Sequence, residues 1–271
     1  MSRIIQFVQN LSLDITAGAM ISCWFIGDFL GLEMPPGIIA GLGIAIWLIY
    51  TADHLLDARK ATAGIVNPRH QFHRKYEKYI LALVVLVFGL GVYNTFLLPV
   101  KTIYYGLILV GLSGLYFLYL KVSTNQRYKE LFAALVYTAG LFTGPLSLAN
   151  SIGWPIAVLG ALFFLLALAN LMILPWFERD MDVQQGIKSI ATRRGGKVVE
   201  NQARVALAIS YVLILIVVML TSEFDQAAIV FVGMSSALLA LITWPRLFIK
   251  YQLYRIVGDG VFFLPALAIL L

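Results

Sequence analysis

The chain has 271 residues, of which 61% are hydrophobic and only 13% charged, with a formal charge of +6 and a mean hydropathy of +0.87. Soluble domains are about one quarter charged, so a water-soluble fold is excluded. The one cysteine, Cys23, excludes a disulfide framework within the chain. The apolar residues come in long blocks, and a helix needs about 20 residues to cross hydrocarbon. Barrel strands would be shorter and would alternate in polarity. The expected fold is therefore all-α: a polytopic membrane protein with nine transmembrane helices.

In chain order, spans are expected at 11–32, 36–58, 79–98, 102–120, 131–150, 154–177, 204–221, 226–244 and 252–271. Asp14 interrupts the first apolar block and Arg3 is its only early base, so a cleavable signal is not expected. No composition shift marks a linker, and residues 1–271 read as a single transmembrane domain.

The bases are sorted by loop. Arg59, Lys60, Arg69, Arg74, Lys75 and Lys78 lie between spans 2 and 3, and Lys121, Arg127 and Lys129 between spans 4 and 5. Arg179, Lys188, Arg193, Arg194, Lys197 and Arg204 lie between spans 6 and 7, and Arg246, Lys250 and Arg255 between spans 8 and 9. With Arg3, 19 of 20 bases fall on one side, and Lys101 is the exception. This is the positive-inside pattern. It predicts a cytoplasmic N-terminus in the cell (inner) membrane, and it accounts for the charge without nucleic acid.

Two acidic pairs stand out. Asp53 and Asp57 end span 2, and Glu178 and Asp182 end span 6. Each has i, i+4 spacing, which puts both carboxylates on one helix face. Asp180 points elsewhere. Asp53 is 17 residues past Pro36, about 26 Å along a helix, so both pairs are predicted at one depth near the cytoplasmic face. Bare carboxylates there are costly. Mg²⁺ removes the repulsion, and it takes one or two carboxylates plus phosphate oxygens. Two facing pairs thus predict a diphosphate held through Mg²⁺. The plainer alternative pairs the acids with Arg59, Lys60 and Arg179. Lys121, Lys129 and Lys188 lie on the same side and suit a diphosphate leaving group. His54, His70 and His73 have no matched metal spacing, and the two later histidines read as part of a solvated loop.

At these residues the chain resembles the UbiA superfamily of intramembrane prenyltransferases. "ERDMDVQQGIKS" is similar to that family's second aspartate motif, and "YLKVSTNQRYKELF" to its central cytoplasmic loop. The first motif, Asn-Asp-x-x-Asp-x-x-x-Asp, is only half present: the register reads Ile49, Tyr50, Asp53, Asp57. The resemblance implies Mg²⁺ on Asp53, Asp57, Glu178 and Asp182, with His54 and Asp57 at the diphosphate. It implies a prenyl diphosphate donor, ionised with Lys188, Lys121 and Lys129 assisting, and a lipophilic acceptor. Tyr116 and Tyr119 are expected to line the pocket. A membrane terpene cyclase and a non-catalytic prenyl-lipid binder or transporter are the alternatives, the last suggested by Asp14, Asp28 and Asp259 in or near spans.

Overall fold

The computed structural model describes residues 3–60, 68–123, 126–184, 186–187 and 189–270, with the side chains of Arg3, Asp57, Lys60 and Pro68 outside that description. Every regular element among these residues is helical. Eight are long and apolar enough to span a membrane, and a bent pair makes a ninth. The chain is a polytopic membrane protein.

The bent pair opens the fold. Helix α1 (Arg3–Asn10) meets α2 (Leu13–Phe29) at 72°, and Ser12 adopts left-handed backbone between them. The expected 11–32 span is thus shorter and broken. On α1, Ile4, Ile5 and Phe7 are exposed beside polar residues, as on a helix lying along a membrane surface. Helix α3 (Pro36–Lys60) starts with proline at its first position, where no N–H is needed.

The chain then departs from expectation. Residues 68–75 were expected in a solvated loop but form helix α4 (Pro68–Lys75). His73 is buried there, and its Nδ1 sits 2.9 Å from the Arg69 carbonyl. Phe72 of α4 packs edge-on against Phe7 of α1. Aromatic packing folds the segment back onto the bundle. Helices α5 (Glu77–Thr95) and α6 (Val100–Val122) follow, almost wholly exposed to the lipid environment.

The inner helices are α7 (Lys129–Leu148), α8 (Trp154–Gln184), α10 (Gly196–Leu220) and α11 (Asp225–Thr243), with the short α9 (Ile190–Arg194) between α8 and α10. Ser189 caps α9 by accepting the Thr192 N–H. Phe25, Phe142, Phe163 and Phe231 interlock edge-to-face at the centre. Lipid gives little hydrophobic drive between helices, so polar pairs and close packing hold them. Ser210 and Ser235 share a 2.9 Å hydrogen bond between α10 and α11.

The last span is composite. Helix α12 (Pro245–Ile249) leads to α13 (Leu253–Gly260), which continues as a 3₁₀ helix over Val261–Leu270. Gly258 lets α13 approach α8 closely, since a Cβ there would lie 2.7 Å from Asn170 Oδ1.

Candidate active site

Helices α3, α4, α8 and α13 converge on a cavity of about 270 Å³. Asp53, His54 and Tyr50 enter it from α3, and Arg69 and His70 from α4. Helix α8 contributes Asn170, Glu178 and Asp182, and α13 contributes Arg255 and Asp259. Ile15, Ala167, Leu171, Leu174 and Phe262 form an apolar wall. The cavity therefore has a charged end and a greasy side, which suits an amphiphile. Pro175 lies in α8 at this wall, where it lacks an N–H and frees the Leu171 carbonyl.

The charged end is built from hydrogen-bonded pairs. Arg255 Nε donates to Glu178 Oε1 at 2.7 Å, with both side chains largely buried. Tyr254 Oη donates to the same oxygen at 3.4 Å. Arg69 Nη1 lies 3.2 Å from His54 Nε2, so a residue from outside the spans reaches the α3 face of the cavity. Two buried polar atoms of residues on the wall, Asn170 Oδ1 and Tyr137 Oη, have no hydrogen-bond partner among the described residues.

One member of the first acidic pair and both members of the second lie on one cavity. Asp53, Glu178 and Asp182 line the same cavity, and Asp180 is exposed away from it. The plainer pairing does not hold for two of its bases. Arg59 Nη2 bridges to Glu77 Oε1 at 2.6 Å, and Glu178 pairs with Arg255 while Arg179 is exposed. The Asp57 side chain and Lys188 lie outside the described residues.

Other expected site residues stand apart. Tyr116 and Tyr119 lie on α6 and are not on the cavity wall; Tyr119 Oη accepts the Tyr128 N–H at 2.9 Å. Lys121 is exposed at the end of α6, and Lys129 begins α7 half-buried; neither lines the cavity. Their alignment with the acids along the sequence came from counting spans, which fixes depth but not direction. Among the described residues, the arginine and lysine side chains on the cavity wall are those of Arg69 and Arg255. Among the bases of the sorted loops nothing local singled them out.

The donor set bears on a metal. Among the described residues no three His, Cys, Asp or Glu side chains converge to cage an ion. Mg²⁺ does not need such a cage, because it binds through one or two carboxylates and takes its remaining ligands from phosphate and water. Asp53 and Asp182, on two helices around one cavity, fit that role.

A solved structure of digeranylgeranylglyceryl phosphate synthase in membranes aligns over 100% of both chains, with a TM-score of 0.57 and 11% identity. The two chains share a fold. The likeness spans the whole helical architecture and not only the acidic segment and the central loop. At 11% identity the likeness shows the fold alone. No protein-family model and no curated protein matches the sequence.

Proposed function

We propose that the chain is an intramembrane prenyltransferase that moves a prenyl group from a prenyl diphosphate to a lipophilic acceptor. The observation that carries this reading is the cavity itself: Asp53 and Asp182 meet Arg69 and Arg255 at one end, beside an apolar wall. An allylic diphosphate has the matching form, a multiply charged head on a hydrocarbon tail. The shared fold with a prenyl-transferring synthase supports the same reading.

Asp53 and Asp182 would hold Mg²⁺, which when bound supplies positive charge for a diphosphate leaving group. Arg69 and Arg255 add planar donors that match phosphate oxygens. In the reaction, the allylic C–O bond breaks and diphosphate leaves with the electron pair. The electron-rich acceptor then forms the new bond to the allylic carbon and loses a proton. The apolar wall keeps the cationic carbon from water, which would otherwise capture it. In this reading the charged end faces the cytoplasm, which the positive-inside pattern of the basic loops supports.

The test is pyrophosphate release from labelled prenyl diphosphates of several lengths, with purified protein, Mg²⁺ and candidate acceptors. Release should need Mg²⁺ and should fall at least about a hundredfold in Asp53→Ala and in Asp182→Ala, in line with loss of a preorganised charge-stabilising group. Release without any acceptor, accompanied by a cyclic hydrocarbon product, would replace the transferase reading with a cyclase. Tight binding of every donor with no release would replace it with a lipid-binding role.

A further inference from the structure

Glu178 occupies the first position of the second acidic pair, yet its geometry differs from that of a carboxylate waiting for a metal. Its Oε1 already accepts from Arg255 Nε at 2.7 Å and from Tyr254 Oη at 3.4 Å. The Arg255 and Glu178 side chains are 9% and 18% exposed, so water does little to screen the pair. A divalent ion placed on that carboxylate would stand a few ångströms from a full positive charge, and in a low-dielectric setting the repulsion is large. With Glu178 committed to Arg255, the carboxylates of Asp53 on α3 and Asp182 on α8 face the same cavity.

Arg255 is held in a useful attitude. Its Nε edge is committed to Glu178, while the guanidinium also lines the cavity. A guanidinium presents donors in a rigid fork, so fixing one edge orients the rest. The neighbouring ring of Tyr254 is stacked on Phe177 of α8, with centroids 4.5 Å apart and planes 7° from parallel, which locks α13 against α8 at this level. The charge is therefore preorganised before any ligand arrives.

We propose that Arg255 supplies, as a fixed guanidinium, the positive charge that a second divalent ion would otherwise bring, and that Glu178 is its positioning residue. The cavity then takes a diphosphate with a single divalent ion, held by Asp53 and Asp182. The proposal rests on the prenyl diphosphate reading and deepens it. It also gives the half-present first motif a physical counterpart: where Ile49 and Tyr50 replace metal-binding residue types, Arg255 provides charge from another helix.

The experiment uses the full chain in lipid nanodiscs, with inorganic pyrophosphate and Mn²⁺ as probes. Bound Mn²⁺ is counted by electron paramagnetic resonance, and pyrophosphate affinity is measured by calorimetry with Mn²⁺ and in EDTA. The expected wild-type result is one Mn²⁺ per chain, with weak pyrophosphate binding persisting in EDTA. Arg255→Gln should weaken pyrophosphate binding about tenfold or more in both conditions, the size expected for a lost charged hydrogen bond, and Arg255→Lys should restore part of it. Glu178→Gln should keep the single Mn²⁺ and weaken pyrophosphate, whereas Asp182→Asn should lose the Mn²⁺. A merely structural pair would lower stability without changing the metal count or the EDTA-resistant affinity, so melting is recorded for each variant. Should Glu178→Gln fail to fold, Arg255→Lys and Arg255→Gln still decide the matter through affinity in EDTA. Two Mn²⁺ per wild-type chain, one of them lost in Glu178→Gln, would overturn the proposal and leave the prenyl diphosphate reading standing. Failure of wild type to bind either pyrophosphate or a prenyl diphosphate would overturn both.

Discussion

The Phe177 ring lies parallel to the Tyr254 ring at 4.5 Å, one residue away on each helix from the Glu178–Arg255 pair. The stack acts as a hinge pin: it sets the register of α13 on α8, and the ion pair inherits that register. Replacing Phe177 with alanine should cost about 2–3 kcal/mol of stability, below the value for a fully buried Phe because this ring is only partly buried. It should also weaken pyrophosphate binding although residue 177 is not on the cavity wall. Tyr254→Phe keeps the stack and removes only a long hydrogen bond, so its effect on binding should be small. Equal effects of the two substitutions would show that the hydroxyl, and not the stack, fixes the register.

Gly258 gives a steric test of the same contact. A Cβ at this position would lie 2.7 Å from Asn170 Oδ1 and 3.0 Å from Leu174 Cδ2. Gly258→Ala should displace Asn170 and shift α13 outward, costing about 1–3 kcal/mol as an overpacked contact does. The double variant Gly258→Ala with Asn170→Ala should recover part of the loss. Thermal unfolding in nanodiscs measures both, and no recovery would mean that Leu174 carries the clash.

On the basic face, Arg193 ties together the Gln126, Ser189 and Glu130 segments. It donates to the Gln126 carbonyl, to the Ser189 carbonyl at 3.2 Å, and to the Glu130 carboxylate at 3.1 Å. The Glu130 carboxylate is buried, and removing its partner leaves a charge without compensation. Glu130→Ala and Arg193→Ala should each cost about 3 kcal/mol, and the double variant should cost less than their sum. Additive losses in the double-mutant cycle would show that the two side chains do not act as a pair.

Helix α4 should respond to acid. Burial and the nearby positive charge of Arg69 hold the His73 imidazole below its ordinary value of 6.5, although its bond to the Arg69 carbonyl pulls the other way. The folded state thus prefers neutral His73. Its contribution to docking is complete above pH 6.5 and is lost as pH falls through that value toward the lower folded one. Hydrogen exchange, corrected for intrinsic rates, should show α4 amides less protected at pH 5.5 than at 7.5. The difference should shrink in His73→Gln, and an unchanged difference would assign it to another group.

Hydropathy made the bundle legible, because lipid demands continuous apolar helices. The common depth of Asp53, Glu178 and Asp182 was legible too, since each closes an apolar block of known polarity along the chain. The α4 segment was not, because PRHQFHRK carries a weak apolar pattern and is placed by the contact of Phe72 with Phe7. Arg69 and Arg255 were hidden for a related reason. In the sequence they are two among many bases on one face, and only the folding back of α4 and the approach of α13 at Gly258 turn them inward. Asp259 did carry a signal, a carboxylate inside an apolar stretch, but the sequence does not say that it would meet Asn170 and Tyr137 around a cavity. Tyr116 and Tyr119 were expected at the pocket because they lie at the same end of the spans as the acidic pairs and their π faces suit a cation, but position along a helix does not tell which neighbour the helix will face.

The 3₁₀ stretch at 261–270 changes the arithmetic of the last span. Such a helix rises about 2.0 Å per residue where an α-helix rises about 1.5 Å, so ten residues gain roughly 5 Å of reach. Three residues complete each turn, which stacks Phe262, Pro265 and Ala268 in a straight row instead of a drifting stripe. The first of these presses so close to α2 that a Cβ on Gly18 would sit 2.9 Å from Phe262 Cβ. Thinner than its neighbours, and longer per residue, the segment slots between α2 and α11 where a full α-helix would force them apart. Shortening it by one residue would rotate that row by about 120°, so length and facing are tied together here more tightly than in any α-helical span of the bundle.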